Sequence, residues 1–108
     1  MSNSSNDNIE SMAIKFKALA NPVRLKLFIE LTQCCKPGTT CDIQRCVGDL
    51  AVLVDIAPST LSHHLKELNR AGLIDMQRAG KNMMCSVDMK VLDDLTDYFK
   101  TLPNKEKL

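Results

Sequence analysis

Four of the five cysteines in this 108-residue chain, Cys34, Cys35, Cys41 and Cys46, fall within thirteen positions, three of them beside the break Lys36-Pro37-Gly38. Soft thiolate sulfur selects soft or thiophilic ions, and three thiolates suit a trivalent metalloid, whose lone pair fills the remaining position. Arsenic(III) or antimony(III) is therefore the first expectation. Cys34 and Cys35 are adjacent, a geometry too constrained for an easy disulfide but compatible with two bonds to one larger atom. A Pro37-Gly38 turn would bring Cys41 back to them. Cys34, Cys35 and Cys41 form the leading ligand trio, with Cys46 as an alternative member.

Competing readings use the same residues. An odd count of cysteines fits no closed disulfide framework, but one reversible pair would make a redox sensor. Cadmium, lead and mercury are also thiophilic, and small buried cysteines can serve only as apolar packing. A structural zinc site lacks the paired C-x-x-C pattern, and both histidines, His63 and His64, lie elsewhere on one helix. Cys85 stands apart and is expected to pack inside a hairpin as a small hydrophobe.

A second group of residues suits nucleic acid. From Pro58 to about Ala71, Leu61, Leu65 and Leu68 define an inward stripe, with His64 turned inward or toward the partner segment, while Ser59, Thr60, Ser62, His63, Lys66 and Arg70 supply short donors and cations on the other side. Arg78 and Lys81 fall in or near the turn between two extended runs, Leu73 to Gln77 and Met83 to Val87. The formal net charge is only +1, so attraction to phosphate depends on this local placement. No glycine-rich phosphate cradle, C-x-x-C or Cys-x5-Arg arrangement is present, which argues against an enzyme.

The elements that must hold these groups are mostly helical. Ile9, Met12, Ala13, Phe16 and Ala20 recur at helical spacing. Asn21 caps a second helix with Pro22 at its first position, and Val23, Leu27, Phe28 and Leu31 are its buried stripe. A short helix carries Val47, Leu50, Ala51 and Val54, and Asp55-Ile56-Ala57 joins it tightly to the helix opened by Pro58, as in a helix-turn-helix. Gly72 stops that helix before the hairpin. A last helix carries Val91, Leu92, Leu95, Tyr98, Phe99 and Leu102, more apolar surface than the edge of a small domain needs. With Phe16 of the first helix, Val91, Leu95, Tyr98 and Phe99 are expected to form a homodimer interface. The expected organisation is a flexible segment 1–8, one domain over 9–102 and a charged tail 103–108. The polar start has no hydrophobic secretory segment and no apolar run is long enough for a membrane span, so a cytoplasmic location is expected.

The run Asp49 to Ile74, above all Ser62-His63-His64-Leu65 followed by Leu68 and Ala71-Gly72-Leu73, resembles the helix-turn-helix of ArsR/SmtB repressors. Lys17-Ala18-Leu19-Ala20-Asn21-Pro22-Val23-Arg24-Leu25 is similar to that family's junction between first and second helices. The resemblance implies a mainly α, dimeric winged helix-turn-helix with a small β-hairpin wing. It also implies a repressor of double-stranded operator DNA that needs no cofactor to bind and is released by arsenic(III) or antimony(III). Ser59, Thr60, Ser62 and His63 would then reach bases or phosphates, with Lys66, Arg70, Arg78 and Lys81 supplying charge. Three positions depart from the pattern: Asp55 stands where Gly is common, and Ala57 and Pro58 stand where Ser and Gln are common. Arg45-Cys46-Val47-Gly48-Asp49-Leu50 resembles an arsenic-binding Cys-Val-Cys-Asp-Leu segment, with Gly48 in place of its second cysteine. The last helix has no histidine for the zinc site that relatives place there.

Overall fold

The computed structural model describes residues 2–35 and 39–100. Five helices, α1 (Ser2–Leu19), α2 (Pro22–Cys34), α3 (Ile43–Leu53), α4 (Pro58–Arg70) and α5 (Met89–Lys100), surround a small antiparallel sheet of β1 (Cys41–Asp42), β2 (Asp75–Ala79) and β3 (Asn82–Ser86). The strand order is β1-β3-β2, so the second wing strand lies between the first and the short strand that precedes α3. Leu27, Leu31, Val47, Leu68, Leu73 and Val87 are fully enclosed, binding α2, α3, α4 and the base of the wing into one core.

Local chemistry sets the boundaries. Asn21 caps α2, its Oδ1 accepting from the amides of Val23 and Arg24, and Pro22 occupies the first turn, where its missing N–H costs nothing. Asp42 caps α3 by accepting from the amide of Gln44. The end of α3 is a Schellman motif: the Asp55 amide donates to Val52 O at 3.1 Å and the Ile56 amide to Ala51 O at 3.2 Å. Asp55 adopts φ 55°, the left-handed conformation this closure needs, so aspartate does here what glycine commonly does. α4 ends the same way, with Gly72 at φ 83°. Ala57 gives α4 no side-chain cap, as expected from the loss of a serine there, and Pro58 opens the helix alone.

Three boundaries differ from the sequence reading. α1 begins at Ser2, so helix runs through most of the segment taken as an irregular start; no Gly or Pro interrupts Ser2–Leu19. The wing strands are Asp75–Ala79 and Asn82–Ser86, with Ala79 opposite Asn82 and a two-residue turn at Gly80-Lys81. Arg78 therefore lies within a strand and Lys81 at the tip; Gly80, at φ 65°, provides the positive dihedral such a tight turn demands. β1 was not anticipated, since two residues are too few for an alternation signal. The Pro37-Gly38 turn, Leu102 and the tail lie outside the described residues. Among the described residues no helix is long and apolar enough to cross a membrane.

Candidate functional site

The thiol cluster forms where α2, β1 and α3 meet. Cys34 ends α2, Cys35 caps it, Cys41 opens β1 and Cys46 sits near the start of α3. The Sγ atoms of Cys34, Cys35, Cys41 and Cys46 all lie within 4.8 Å of one another. Two sulfurs held at the thiolate–zinc distance of about 2.3 Å from one ion stand at most about 4.6 Å apart, so small rotations would let these atoms share a soft ion. The residues fit a thiophilic ligand.

Cys34 and Cys46 are joined as a disulfide with Cα atoms 5.7 Å apart, leaving Cys35, Cys41 and Cys85 free. Cys34, Cys35 and Cys41 are thus brought together with one of the three, Cys34, bonded to Cys46. A step of one residue along α2 turns the side chain by about 100°; Cys34 consequently faces outward to α3, while Cys35 turns into the core and is fully buried. Cys35 Sγ still lies 3.6 Å from Cys46 Sγ, and Cys41 Sγ donates to Cys34 O at 3.5 Å.

Cys85 is buried in the wing as expected, and it lies beside the cluster. It sits directly opposite Cys41 in the β1–β3 ladder. Burial, a hydrogen bond to Cys41 and contacts with Cys85 push the Cys35 thiol up to about 12, and burial pushes Cys85 up to about 11. Both thiols thus keep their protons near neutral pH. The sequence held one signal for this neighbour of the cluster, the cysteine itself on a strand, but its partner strand β1 was invisible to patterning.

A polar face runs along α4 and the wing. Ser59, Thr60, Ser62, His63, Lys66, Arg70, Arg78 and Lys81 are all exposed. Ser62 and Lys66 of α4 and Arg78 and Lys81 of the wing line one cleft of about 370 Å³, together with Asp42 and Gln44. Helix and wing thus present donors and cations toward a common space. Arg70 also pairs with Glu67 at 3.2 Å, an exposed contact of small energetic weight. His64 turns inward, as expected, and accepts at Nδ1 from Arg24 Nε, a tether from α2 that the sequence did not reveal.

The apolar face of α5 is incompletely covered within one chain. None of its residues is fully buried. Phe16 of α1 stacks on Phe99 with centroids 5.6 Å apart and meets Tyr98 edge-on at 6.1 Å, while Phe99 remains 57% exposed. Val91 and Leu95 are half-buried against the chain's own core.

Comparison with known proteins bears on this arrangement. The family model described as "Bacterial regulatory protein, arsR family" matches residues 21–76. The "Arsenical resistance operon repressor" of Bacillus subtilis is 42% identical over 66 residues, covering 61% of this chain and 55% of that protein. The "Transcriptional repressor SmtB homolog" of Synechocystis sp. is 34% identical over 81 residues, covering 75% and 54%. The chain spans about half the length of these curated relatives. An ArsR-like transcriptional regulator from Rhodococcus sp. RHA1 shares the fold, with a TM-score of 0.65 at 16% identity over 92% of this chain and 85% of that one.

Proposed function

Because the chain belongs to the arsR family of bacterial regulatory proteins, we propose that it is a cytoplasmic, homodimeric transcriptional repressor that binds operator DNA through α4 and the wing and leaves it when arsenic(III) or antimony(III) binds cysteine thiolates. Its action is binding, not catalysis. The observation that carries the metalloid reading is the convergence of four Sγ atoms within 4.8 Å. In the reduced protein the ligands are Cys34, Cys35 and Cys41, with Cys46 able to replace one of them.

Release follows from linkage. The ion must bind the DNA-free arrangement more tightly than the DNA-bound one, and DNA then weakens ion binding by the same factor. A tenfold effect requires about 1.4 kcal/mol. The path is short, since Asp42 both ends β1 beside Cys41 and caps α3, the first helix of the helix-turn-helix.

The test is a titration of the reduced protein, bound to its own upstream DNA, with arsenite, antimonite, cadmium, zinc and mercury, followed by fluorescence anisotropy. Arsenite or antimonite should release the DNA. Cys35→Ser and Cys41→Ser should leave DNA binding intact and abolish release, Cys34→Ser should raise the arsenite needed at least tenfold, and Cys85→Ser should respond normally. Release of the Cys34→Ser/Cys35→Ser/Cys41→Ser variant at the wild-type arsenite concentration would place the site elsewhere.

A second reading rests on the Cys34–Cys46 disulfide itself. It makes the protein a repressor switched by thiol oxidation. Release by hydrogen peroxide in the absence of any metalloid, lost in Cys46→Ser, would favour it.

A further inference from the structure

We propose that Cys35, Cys41 and Cys85 form a second, internal ligand set for a trivalent metalloid, used when Cys34 and Cys46 are bonded to each other. The inference rests on the reading that the thiol cluster takes arsenic(III) or antimony(III); it adds a site and a ligand from the wing.

Three observations converge. With Cys34 and Cys46 joined, Cys35, Cys41 and Cys85 are the free cysteines, three in number, which is what a trivalent metalloid accepts. Cys41 and Cys85 are cross-strand partners in the β1–β3 ladder, where directly opposite Cβ atoms lie about 4.5–5.5 Å apart. Cys35 and Cys85 are both fully buried in the same core cluster, and Cys41 packs against it. The three come from the cap of α2, from β1 and from the wing strand β3, so one ion would join three elements.

The chemistry balances without an external base. Arsenous acid, As(OH)3, exchanges three As–O bonds for three As–S bonds; each thiol proton leaves with a hydroxyl as water, giving As(SR)3 and three waters with no change in oxidation state. Closing the Cys34–Cys46 pair is a separate step. There the two thiols lose two electrons and two protons to a peroxide, which is reduced to water or to alcohol and water.

Hydrogen peroxide-oxidised wild type, its Cys34–Cys46 bond verified by peptide mass spectrometry, should retain one arsenic per protomer after desalting. Its arsenic absorption edge should show three sulfur neighbours, a number reached only if Cys85 takes part. The Cys34→Ser/Cys46→Ser variant should do the same without oxidation, and adding Cys85→Ala should weaken arsenite binding at least tenfold. Sulfur counting on the unmutated chain keeps the test decisive if Cys85→Ala fails to fold. Two sulfur neighbours, or arsenite bound by reduced wild type but not by the oxidised protein, would overturn the internal site and leave the repressor reading standing. No arsenite on either form overturns both.

Discussion

Arg24 on α2 donates from Nε to Nδ1 of His64 on α4 across 3.3 Å, which leaves the proton of the neutral imidazole on Nε2. The arginine also reaches Ala18 O at 3.4 Å, so one side chain ties α1, α2 and α4 together. Protonation of His64 would remove the accepting lone pair and set two cations face to face.

Burial first, then the Arg24 and His63 charges, hold the His64 pKa below its ordinary value of 6.5. The unfolded chain therefore binds more protons than the folded one between the two values. The contribution is fully present above about pH 6.5 and declines as pH falls through the folded value. Thermal melts from pH 7.5 to 5 should show a fall in Tm that is smaller in His64→Gln, which keeps an acceptor for Arg24 but does not titrate. An identical pH profile for the two proteins would count against this role.

The raised Cys35 thiol distinguishes the candidate inducers. A divalent cation needs thiolates and must expel their protons, whereas arsenous acid carries them away as water. Between pH 6 and 8, cadmium affinity of the reduced protein should rise about tenfold per pH unit for each proton expelled, and arsenite affinity should stay nearly flat. Competition titrations at three pH values decide the point; parallel slopes would refute it.

Readout and affinity should separate on the face proposed to meet DNA. Ser62→Ala and His63→Ala lie on exposed α4 and should erase the preference for operator over unrelated duplex. Arg78→Ala and Lys81→Ala should weaken both duplexes alike, each lowering the salt slope by about one. Arg70→Ala should act in the same way, since its exposed pair with Glu67 is too weak to withhold it. Anisotropy at several salt concentrations measures all five.

Self-association should depend on the Phe16–Tyr98–Phe99 cluster and the open face of α5. Leu95→Glu with Phe99→Glu should give monomers in sedimentation and weaken operator binding. Wild type that sediments as a monomer at micromolar concentration would remove the dimer from the proposal.

Long-period features were legible in the sequence. The stripes of α2 and α4, the Asn21-Pro22 start and the Gly72 stop each combine helical periodicity with a residue of restricted chemistry, and all recur in the structure. The thiol site was legible as a neighbourhood but not as a pairing. Whether Cys34 faces Cys35 or Cys46 depends on a rotation of about 100° per helical residue, combined with where α3 starts. Cys85 joined the neighbourhood only through the β1–β3 register, which arises from tertiary contact.

That register also makes the wing a lever arm. Cys85 sits at its root and Lys81 at its tip, four residues away along β3, a reach of about 14 Å at about 3.4 Å per residue. A tilt of about 10° at the root would sweep the tip through about 2–3 Å, comparable to the length of a hydrogen bond to phosphate. A displacement at Cys41 and Cys85 too small to disturb the core would therefore carry Lys81 through most of the length of such a bond, and stiffening the root would shorten that travel.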